Sequence, residues 1–273
     1  EYKKDPTTEI FGALGYLSSI DFVKKEGDTD HLLSPKLLLR YAPGHMRKEN
    51  NDFRLSHLNI FDLDRLNTQN NFEEGLSATI GFDYEIKNEG QEFDLSIGQI
   101  INNKENKKMP SSSSLDEKLS DVVGNINFKT NKSLELKYNF ALDQNYRDFN
   151  YNEIGINLDL NPIKFDFNYL QEKNHIGDQE YFKGSIELAK SDNGLLSIET
   201  KRNLITNSAE YYNLSYEYLN DCLKAGLVYR REFYNDSELD AENSLMFKIT
   251  LIPFGNINSP SLNKWKYLIY ISK

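Results

Sequence analysis

The four histidines are the residues best suited to catalysis or metal binding. They are His31, His45, His57 and His175, and none has a Cys, a carboxylate or another His at the spacing of a metal site. The chain also lacks a G-x-S-x-G nucleophile motif, a Gly-rich phosphate-binding loop and an H-E-x-x-H zinc motif. We therefore expect surface or loop roles for the histidines.

Paired acidic residues provide no better active site. The pair Glu73-Glu74 has no flanking pocket pattern and is typical of a solvated loop. His175 is the one candidate base near a strand end, and no spacing rule places a serine opposite it, so an outer-membrane hydrolase is disfavoured. The sequence predicts no enzyme, no metal and no cofactor.

Cys222 is the single cysteine, so it has no disulfide partner within the chain. It is either a small buried hydrophobic residue or half of a bridge to a partner outside the chain. The residue pattern alone favours the buried role.

The elements that would position any functional group are strands, because apolar and polar residues alternate from Asn152 to Phe254. Successive side chains of a strand point to opposite faces, so each segment of about ten residues has one apolar and one polar face. The apolar face of the segment 243–254 carries Leu245, Phe247, Ile249 and Leu251.

Composition favours a barrel with a polar lumen. Only 38% of the residues are hydrophobic, and the mean hydropathy of −0.64 is low for a protein with one central core. In a barrel with a water-filled lumen, the side chains that point inward need not be apolar, and they are about half of the side chains of each strand. No apolar run is long enough for a membrane-spanning helix. The net charge of −10, without a basic track, disfavours nucleic-acid binding.

Alternating runs bounded by turn residues predict about 13–14 strands. The predicted fold class is all-β, an antiparallel meander that forms part of a large transmembrane outer-membrane β-barrel. The chain begins at Glu1 without an initiator Met or a signal peptide, and we interpret it as mature protein or a fragment. The strands are predicted near 10–23, 32–42, 74–87, 91–102, 121–130, 133–143, 147–160, 162–173, 181–190, 194–203, 208–219, 222–234 and 243–254, with a further candidate at 265–271.

Two predicted connections are long, at residues 43–73 and 103–120. Loops of this length are usually functional or disordered. The second contains the serine run 111–114, which predicts disorder. The first has enough apolar residues to predict an ordered loop that caps or enters the lumen. These residues are Leu55, Leu58, Ile60, Phe61, Leu63 and Leu66.

Several segments together resemble the C-terminal barrel of the outer-membrane lipopolysaccharide-assembly family, also called organic solvent tolerance protein or LptD. The strongest are YYNLSYEYLNDCLKAGLVYRREFY at 211–234 and ENSLMFKITLIPFG at 242–255, which resemble the closing strands of that family. Three others agree in order. They are SPKLLLRYAPGHMR at 34–47, FDLDRLN at 61–67 and EFDLSIGQI at 92–100.

The resemblance implies a non-enzymatic component of lipopolysaccharide export in the outer membrane of a Gram-negative bacterium. Such a protein receives lipopolysaccharide from a periplasmic bridge and releases it into the outer leaflet through a seam between the first and last strands. Residues 1–255 would be the C-terminal portion of the barrel and residues 256–273 a tail. The implied partners are lipopolysaccharide, a lipoprotein plug in the lumen, and periplasmic bridge proteins that act through an N-terminal domain.

The resemblance also assigns roles to particular residues. Cys222 stands where the family has a cysteine bridged to its N-terminal domain, and Asp221 before it limits the expectation to one bridge. The strand 243–254 would form one side of the lateral gate, where Pro253 removes a hydrogen-bond donor or simply ends the strand. The gate strand would carry Leu245, Phe247, Ile249, Leu251 and Pro253.

The polar faces of the strands are expected to line the lumen. Their side chains would hydrogen-bond the plug or sugar chains, or solvate a water-filled interior, and composition does not choose between these roles. The residues are Asn157, Asp159, Asp166, Asn168, Asn213, Ser215, Glu217, Lys224 and Arg230.

Two alternatives share the alternating pattern. The first is a porin-like outer-membrane diffusion channel, which needs a closed barrel and a constriction loop. The second is a soluble β-rich binding or scaffold protein, in which residues such as Phe165 and Phe167 would pack in a core instead of facing lipid. We also expect that this chain alone does not insert as a stable closed barrel, because an open sheet leaves two unpaired edges.

Overall fold

The computed structural model describes residues 12–44, 46–66, 71–130, 133–174, 176–191, 193–220, 222–233, 243–251 and 255–258. Strands dominate the described residues, which also contain a short 3-10 helix at Ser111–Ser113. The strands are β1 (Leu14–Ser19), β2 (Phe22–Glu26), β3 (Thr29–Ala42), β4 (Gly75–Lys87), β5 (Gln91–Asn102), β6 (Val122–Thr130), β7 (Leu134–Leu142), β8 (Phe149–Leu160), β9 (Ile163–Glu172), β10 (Gln179–Ser191), β11 (Gly194–Asn203), β12 (Ser208–Leu219), β13 (Leu223–Glu232), β14 (Asn243–Leu251) and β15 (Gly255–Asn258).

The strands follow one another in chain order from β1 and β3 to β15, with β2 also paired to β3. The pairings of β1 to β6 and of β10 to β15 are antiparallel throughout. The prediction of an all-β antiparallel meander is therefore confirmed. Alternation places the strands well, because most of the longer strands keep one apolar face along their length.

The chain divides into two compact units. The first comprises residues 1–130, 137–153 and 171–178, and the second comprises residues 131–136, 154–170 and 179–273. The buried apolar residues lie mainly in the first unit, where Leu38, Ile100 and Val123 are almost fully buried. Few of the buried apolar residues, such as Leu170, lie in the second unit.

The strand predicted at 10–23 is divided into β1 and β2. Both pair with β3 in one antiparallel register, Ser19 opposite Lys36 and Phe22 opposite Leu33. Pro35 of β3 stands at the break and has no N–H to donate. Its carbonyl still accepts a hydrogen bond of 3.3 Å from Ile20 N. The missing donor interrupts the ladder at this one place.

The connection 103–121 is ordered, so the predicted disorder of the serine run 111–114 is wrong. Ser111–Ser113 form the 3-10 helix, and Ser113 is fully buried. Its hydroxyl donates to Pro110 O at 2.7 Å, which satisfies the buried polar group locally. Leu115 is also fully buried. A serine run folds here because its hydroxyl groups find backbone partners.

The predicted gate strand is not the last strand of the sheet. β14 ends at Leu251, and β15 pairs with its second half, with Lys248 opposite Asn258 and Leu251 opposite Gly255. β15 lies partly in the segment that we expect to be a tail. The strand candidate at 265–271 and Pro253 of the gate lie outside the described residues.

Candidate functional site

The sheet of the second unit has an apolar face that is exposed and a polar face that is sheltered. On β12 the side chains of Tyr212, Leu214 and Tyr216 are between 44% and 46% exposed. Asn213 and Ser215, which alternate with them, are only half-exposed or less. Exposure is therefore the reverse of what a water-soluble sheet shows, in which the apolar face packs on a core.

The exposed apolar face continues across neighbouring strands through the strand register. Leu214 stands opposite Ile198 of β11 and Tyr229 of β13, and Tyr229 stands opposite Leu245 of β14. Phe165 and Phe167 of β9 are also exposed. A contiguous apolar face of this kind fits contact with lipid hydrocarbon, because apolar side chains in lipid need no protein packed over them.

Five of the nine residues that we expect to line the lumen come together on the polar face of β12 and β13. The register places Asn213 opposite Arg230. Lys224 Nζ lies 2.7 Å from Glu217 Oε2, and the hydroxyl of Ser215 lies 2.5 Å from that of Ser197. Several of these polar side chains thus pair with one another along the sheet, while Asn213 Oδ1 is buried without a hydrogen-bond partner among the described residues.

The other four residues lie on β8 and β9. Asn157 Nδ2 is 3.4 Å from Glu135 Oε2, and Lys164 Nζ is 3.3 Å from Asp159 Oδ2. Asp166 is exposed and Asn168 is half-buried. Their lumenal role stays a prediction.

Glu199 of β11 is the centre of the polar face, and the sequence reasoning did not single it out. Its carboxylate accepts hydrogen bonds from Tyr211 Oη at 3.0 Å and Asn213 Nδ2 at 3.2 Å. Lys183 Nζ lies 2.6 Å from the same group. The guanidinium of Arg230 stacks 4.7 Å over the ring of Tyr211. The same alternation that selects Asn213 would have selected Glu199.

In the first unit the face opposite the exposed apolar side chains is covered by residues 46–66, which we call the strap. Leu55 and Ile60 are 1% exposed and anchor it. The predicted ordered loop at 43–73 is therefore present in its described part, and it packs on the sheet instead of standing above it.

A pair of glycines makes room for the strap. Gly81 of β4 and Gly98 of β5 are opposite each other in register. A Cβ atom on Gly81 would clash first with the backbone oxygen of Ile97 on β5 and would also lie 2.9 Å from Phe61 Cζ, and one on Gly98 would lie 3.0 Å from Ile60 Cδ1. Only glycine leaves this hollow open, because real Cβ contacts are longer.

Buried charges fix the C-terminal end of the strap. Arg65 is almost fully buried, and its NH1 atom lies 3.0 Å from both carboxylate oxygens of Glu73. Its NH2 atom donates to Ser77 Oγ at 3.2 Å and Thr79 Oγ1 at 3.1 Å. Arg40 of β3, also buried, donates to the carbonyl of Glu73 at 2.7 Å. Burial without these partners would be costly for either guanidinium.

A second ion pair fixes the middle of the strap. Arg54 Nε donates to Glu172 Oε1 at 2.9 Å, and a second nitrogen of Arg54 bonds the other oxygen of Glu172. The guanidinium also lies 4.2 Å from the ring centre of Tyr151. Burial acts to lower the pKa of Arg54, but the hydrogen bond and charge of Glu172 raise it overall. The two-point geometry orients the strap as well as holding it.

The histidines do not form a site. His31 Nδ1 lies 2.9 Å from Tyr84 Oη, and His57 is half-buried in the strap, where burial lowers its pKa and the charge of Asp83 opposes the effect. His45 and His175 lie outside the described residues. Within the described part of the chain no group of three or more His, Cys, Asp or Glu residues is arranged to hold a metal ion. Nor does any helix there have the length and apolar character to cross a membrane.

Cys222 is exposed, so the buried role that the residue pattern favours is wrong. It lies in the short turn between β12 and β13, where Asn220 Oδ1 accepts hydrogen bonds from Cys222 N at 3.0 Å and Leu223 N at 2.7 Å. With one cysteine, the chain has no internal disulfide. A bridge to a partner outside the chain stays a prediction.

The gate residues lie on β14 where they are described. Phe247 and Ile249 are 47% and 43% exposed, and Leu245 lies on the same face by alternation. Leu251 ends the strand. β13 pairs with β14 along the whole length of β14, and the described residues of β15 pair with β14 from Lys248 to Leu251.

Comparison with known proteins gives a family. A sequence profile described as "LptD: LPS transport system D" matches residues 14–232. No curated protein matches the chain. Among solved structures, a triple mutant of the Rhodopseudomonas blastica porin is 10% identical, with a TM-score of 0.35. Another mutant of that porin is 8% identical, with a TM-score of 0.32, and each alignment covers 91% of this chain and 96% of the porin.

Proposed function

Because the chain belongs to the LptD family of LPS transport proteins, with most of its length matched, we propose that it assembles lipopolysaccharide into the outer leaflet of the outer membrane. It is part of an outer-membrane transport barrel, and the family is one of transport components and not of enzymes. The proposal concerns how lipopolysaccharide leaves the barrel. Lipopolysaccharide would pass laterally through a seam between two strands of the barrel wall.

The observation that carries the proposal is the reversed exposure of the sheet. Apolar side chains such as Leu214 are exposed on one face, while the polar face carries the hydrogen-bonded group around Glu199. A lipopolysaccharide molecule likewise has a polar part and an apolar part. Its sugars and phosphates suit the polar face, and its acyl chains suit the lipid outside, so a lateral exit spares charged groups a crossing of hydrocarbon.

The seam that we propose involves β14, one of the last strands of the sheet. In the described residues, β15 pairs with β14 from Lys248 to Leu251. Strands near the end of a sheet have fewer neighbours to hold them, so they separate at lower cost than central strands. Leu245, Phe247 and Ile249 would then contact acyl chains during release, while Leu251 and Pro253 would stand at the end of the seam.

The partners follow from the family and from the polar face. Periplasmic bridge proteins would supply lipopolysaccharide, acting through an N-terminal domain. A lipoprotein plug would occupy the lumen against polar side chains such as Asn213 and Arg230. The exposed Cys222 would bridge to the N-terminal domain, since it lies in a short turn and short turns of outer-membrane barrels face the periplasm.

A porin-like channel is the second candidate, and the strap is the observation that favours it. A diffusion channel needs a segment that narrows the lumen, and residues 46–66 cover one face of the sheet in the first unit.

The test is site-specific photo-crosslinking in the full-length protein in cells, with the crosslinker at position 247 or 249. Adducts to lipopolysaccharide and to the first barrel strand are expected if β14 borders a lateral gate. A crosslinker at Ser244, on the opposite face of β14, is the matched control and should give no acyl-chain adducts. Crosslinks to neighbouring strands alone, with export intact, would support the channel instead.

A further inference from the structure

A pocket of about 420 Å³ opens at the ends of β3, β4 and β5 in the first unit. It is lined by the last residues of β3, by residues 43–44 and 73–76, and by residues 102–106. We call it the rim pocket. The strap and the gate do not explain it.

The walls of the rim pocket are held by hydrogen bonds. Asn103 N donates to Leu76 O at 3.0 Å, which joins the loop after β5 to the start of β4. Asn102 Nδ2 donates to Glu117 O at 2.9 Å, which fixes the base of the same loop. A ligand would therefore meet a preformed cavity and would not have to order the loop first.

Two glycines leave the backbone open to the pocket. Gly44 has φ +153° and Gly75 has φ +118°, conformations that side-chain-bearing residues rarely adopt. A Cβ atom on either would meet nothing within 4 Å. The glycines are thus present for backbone conformation and not to relieve crowding. They allow a ligand to approach the main chain closely.

The charge balance of the rim pocket favours an anion. Its carboxylates are each engaged by a cation, whereas the exposed ammonium of Lys104 has no ion pair among the described residues. The engaged pairs are Glu73 with Arg65, Glu74 with Lys108 at 2.6 Å and Glu105 with Lys107 at 2.9 Å. The side-chain amide of Asn103 is exposed beside Lys104 and suits a hydroxyl-rich group.

The rim pocket lies at the end of the exposed apolar face, where a lipid headgroup is expected. Tyr41 and Leu76 stand opposite each other and are both 50% exposed, at the end of the apolar face that also carries Leu39. Tyrosine is enriched where a membrane protein leaves the hydrocarbon. The pocket lies beside the longer loops, which in outer-membrane barrels are extracellular.

We propose that the rim pocket binds the phosphorylated saccharide headgroup of a glycolipid in the outer leaflet. Lys104 contacts the phosphate, Asn103 and the backbone at Gly75 contact sugar hydroxyls, and Tyr41 packs against the first sugar ring. The inference rests on the proposed function, which places lipopolysaccharide around the protein. It adds a site for lipid that has already left the barrel.

Binding to the full-length protein, purified from outer membranes and exchanged into detergent, tests the site. The probes are intact lipopolysaccharide, its deacylated phosphorylated oligosaccharide, glucosamine 1-phosphate and inorganic phosphate. Lys104→Ala is expected to weaken oligosaccharide binding about tenfold, because a charged hydrogen bond is lost. Lys87→Ala removes the same charge at the opposite end of β4, away from the rim pocket, and is expected to leave binding unchanged. Asn103→Trp fills the cavity and is expected to abolish binding.

The outcomes separate the sources of the ligand and the two proposals. Saturable binding of the oligosaccharide and of intact lipopolysaccharide, both weakened by Lys104→Ala, supports a headgroup site. Binding of inorganic phosphate as tight as that of the oligosaccharide overturns it, as does equal loss in the Lys104→Ala and Lys87→Ala variants. Lipopolysaccharide export in cells is measured in parallel. If export is normal but binding is absent, only the proposed rim-pocket site is refuted. If export does not depend on the protein, the proposed function is refuted.

Discussion

Arg54 and Glu172 are 118 positions apart in sequence and form a two-point ion pair. Arg54 comes from the strap and Glu172 from the end of β9, where its side chain is fully buried. The pair is a long-range polar contact that holds the strap. The first prediction concerns its removal.

Arg54→Ala is expected to lower the free energy of unfolding by about 2–4 kcal/mol, because it removes a two-point ion pair from the buried Glu172 carboxylate. Urea unfolding of the full-length protein in detergent, followed by the gel mobility of the heat-modifiable band, measures the change. Arg147→Ala, at an exposed loop position, is the control. The double variant Arg54→Met with Glu172→Leu should recover much of the lost free energy of unfolding. If it does not, the loss comes from packing and not from the broken ion pair.

The glycine pair gives a second prediction. Gly98→Ala is expected to destabilise the protein by about 1–3 kcal/mol, because the new methyl group meets Ile60 in a packed region. Adding Ile60→Val should recover part of this. Gly184→Ala is the matched control, since the nearest atom to its Cβ would be 3.9 Å away. The same urea titration applies, and equal costs for the two glycines would contradict the account.

The exposed apolar face gives a third prediction, on membrane contact. Leu214→Arg should reduce the stability of the folded protein in bilayers by about 2–4 kcal/mol, as expected for a charge facing lipid near the midplane. Ser215→Arg, one position along on the polar face, should be tolerated. Folding into liposomes at graded urea concentrations measures both. If Ser215→Arg is the more damaging of the two, the assignment of faces is wrong.

His57 gives a prediction on pH. Burial lowers its pKa in the folded protein, so the unfolded chain binds a proton more readily, and stability is lost as pH falls through the ordinary histidine value of about 6.5 and below. Hydrogen exchange of residues 46–66 should therefore accelerate between pH 7.5 and pH 5.5 beyond the intrinsic chemical trend. His57→Gln should remove this excess and leave the exchange of β12 unchanged.

Cys222 gives a prediction on covalent structure. The full-length protein should migrate differently on reducing and non-reducing gels, and Cys222→Ser should abolish the difference that depends on this residue. The Cys222 side chain is exposed, so its loss should not disturb packing. A free thiol at Cys222 in protein taken from the oxidising periplasmic side, detected by alkylation and mass spectrometry, would argue against the bridge.

Alternation predicts the strands because it depends only on neighbours in sequence. The predicted run 208–219 coincides with β12, and 91–102 with β5. The break between β1 and β2 is not visible in that way, because its cause is Pro35 on the opposite strand. Similarly, the serine run 111–114 shows its order only through partners such as Pro110 O.

In the candidate site, too, some residues can be predicted from alternation, whereas others depend on contacts that are distant in sequence. Asn213, Ser215 and Arg230 are found by alternation, and Glu199 could have been. The contacts of the strap could not, because Arg54 has nothing in its own segment that points to Glu172. The apolar residues Leu55 and Ile60 indicate only that the loop folds against something. Gly81 and Gly98 show where, and only once the register of β4 and β5 is known.

The Arg54–Glu172 pair also has a kinetic consequence. Closing a contact across 118 positions costs chain entropy that no local interaction repays. The pair therefore forms only after β4 to β9 have assembled, and the strap reports that the preceding hairpins are complete. In a chain stalled earlier, residues 46–66 would stay accessible to proteases.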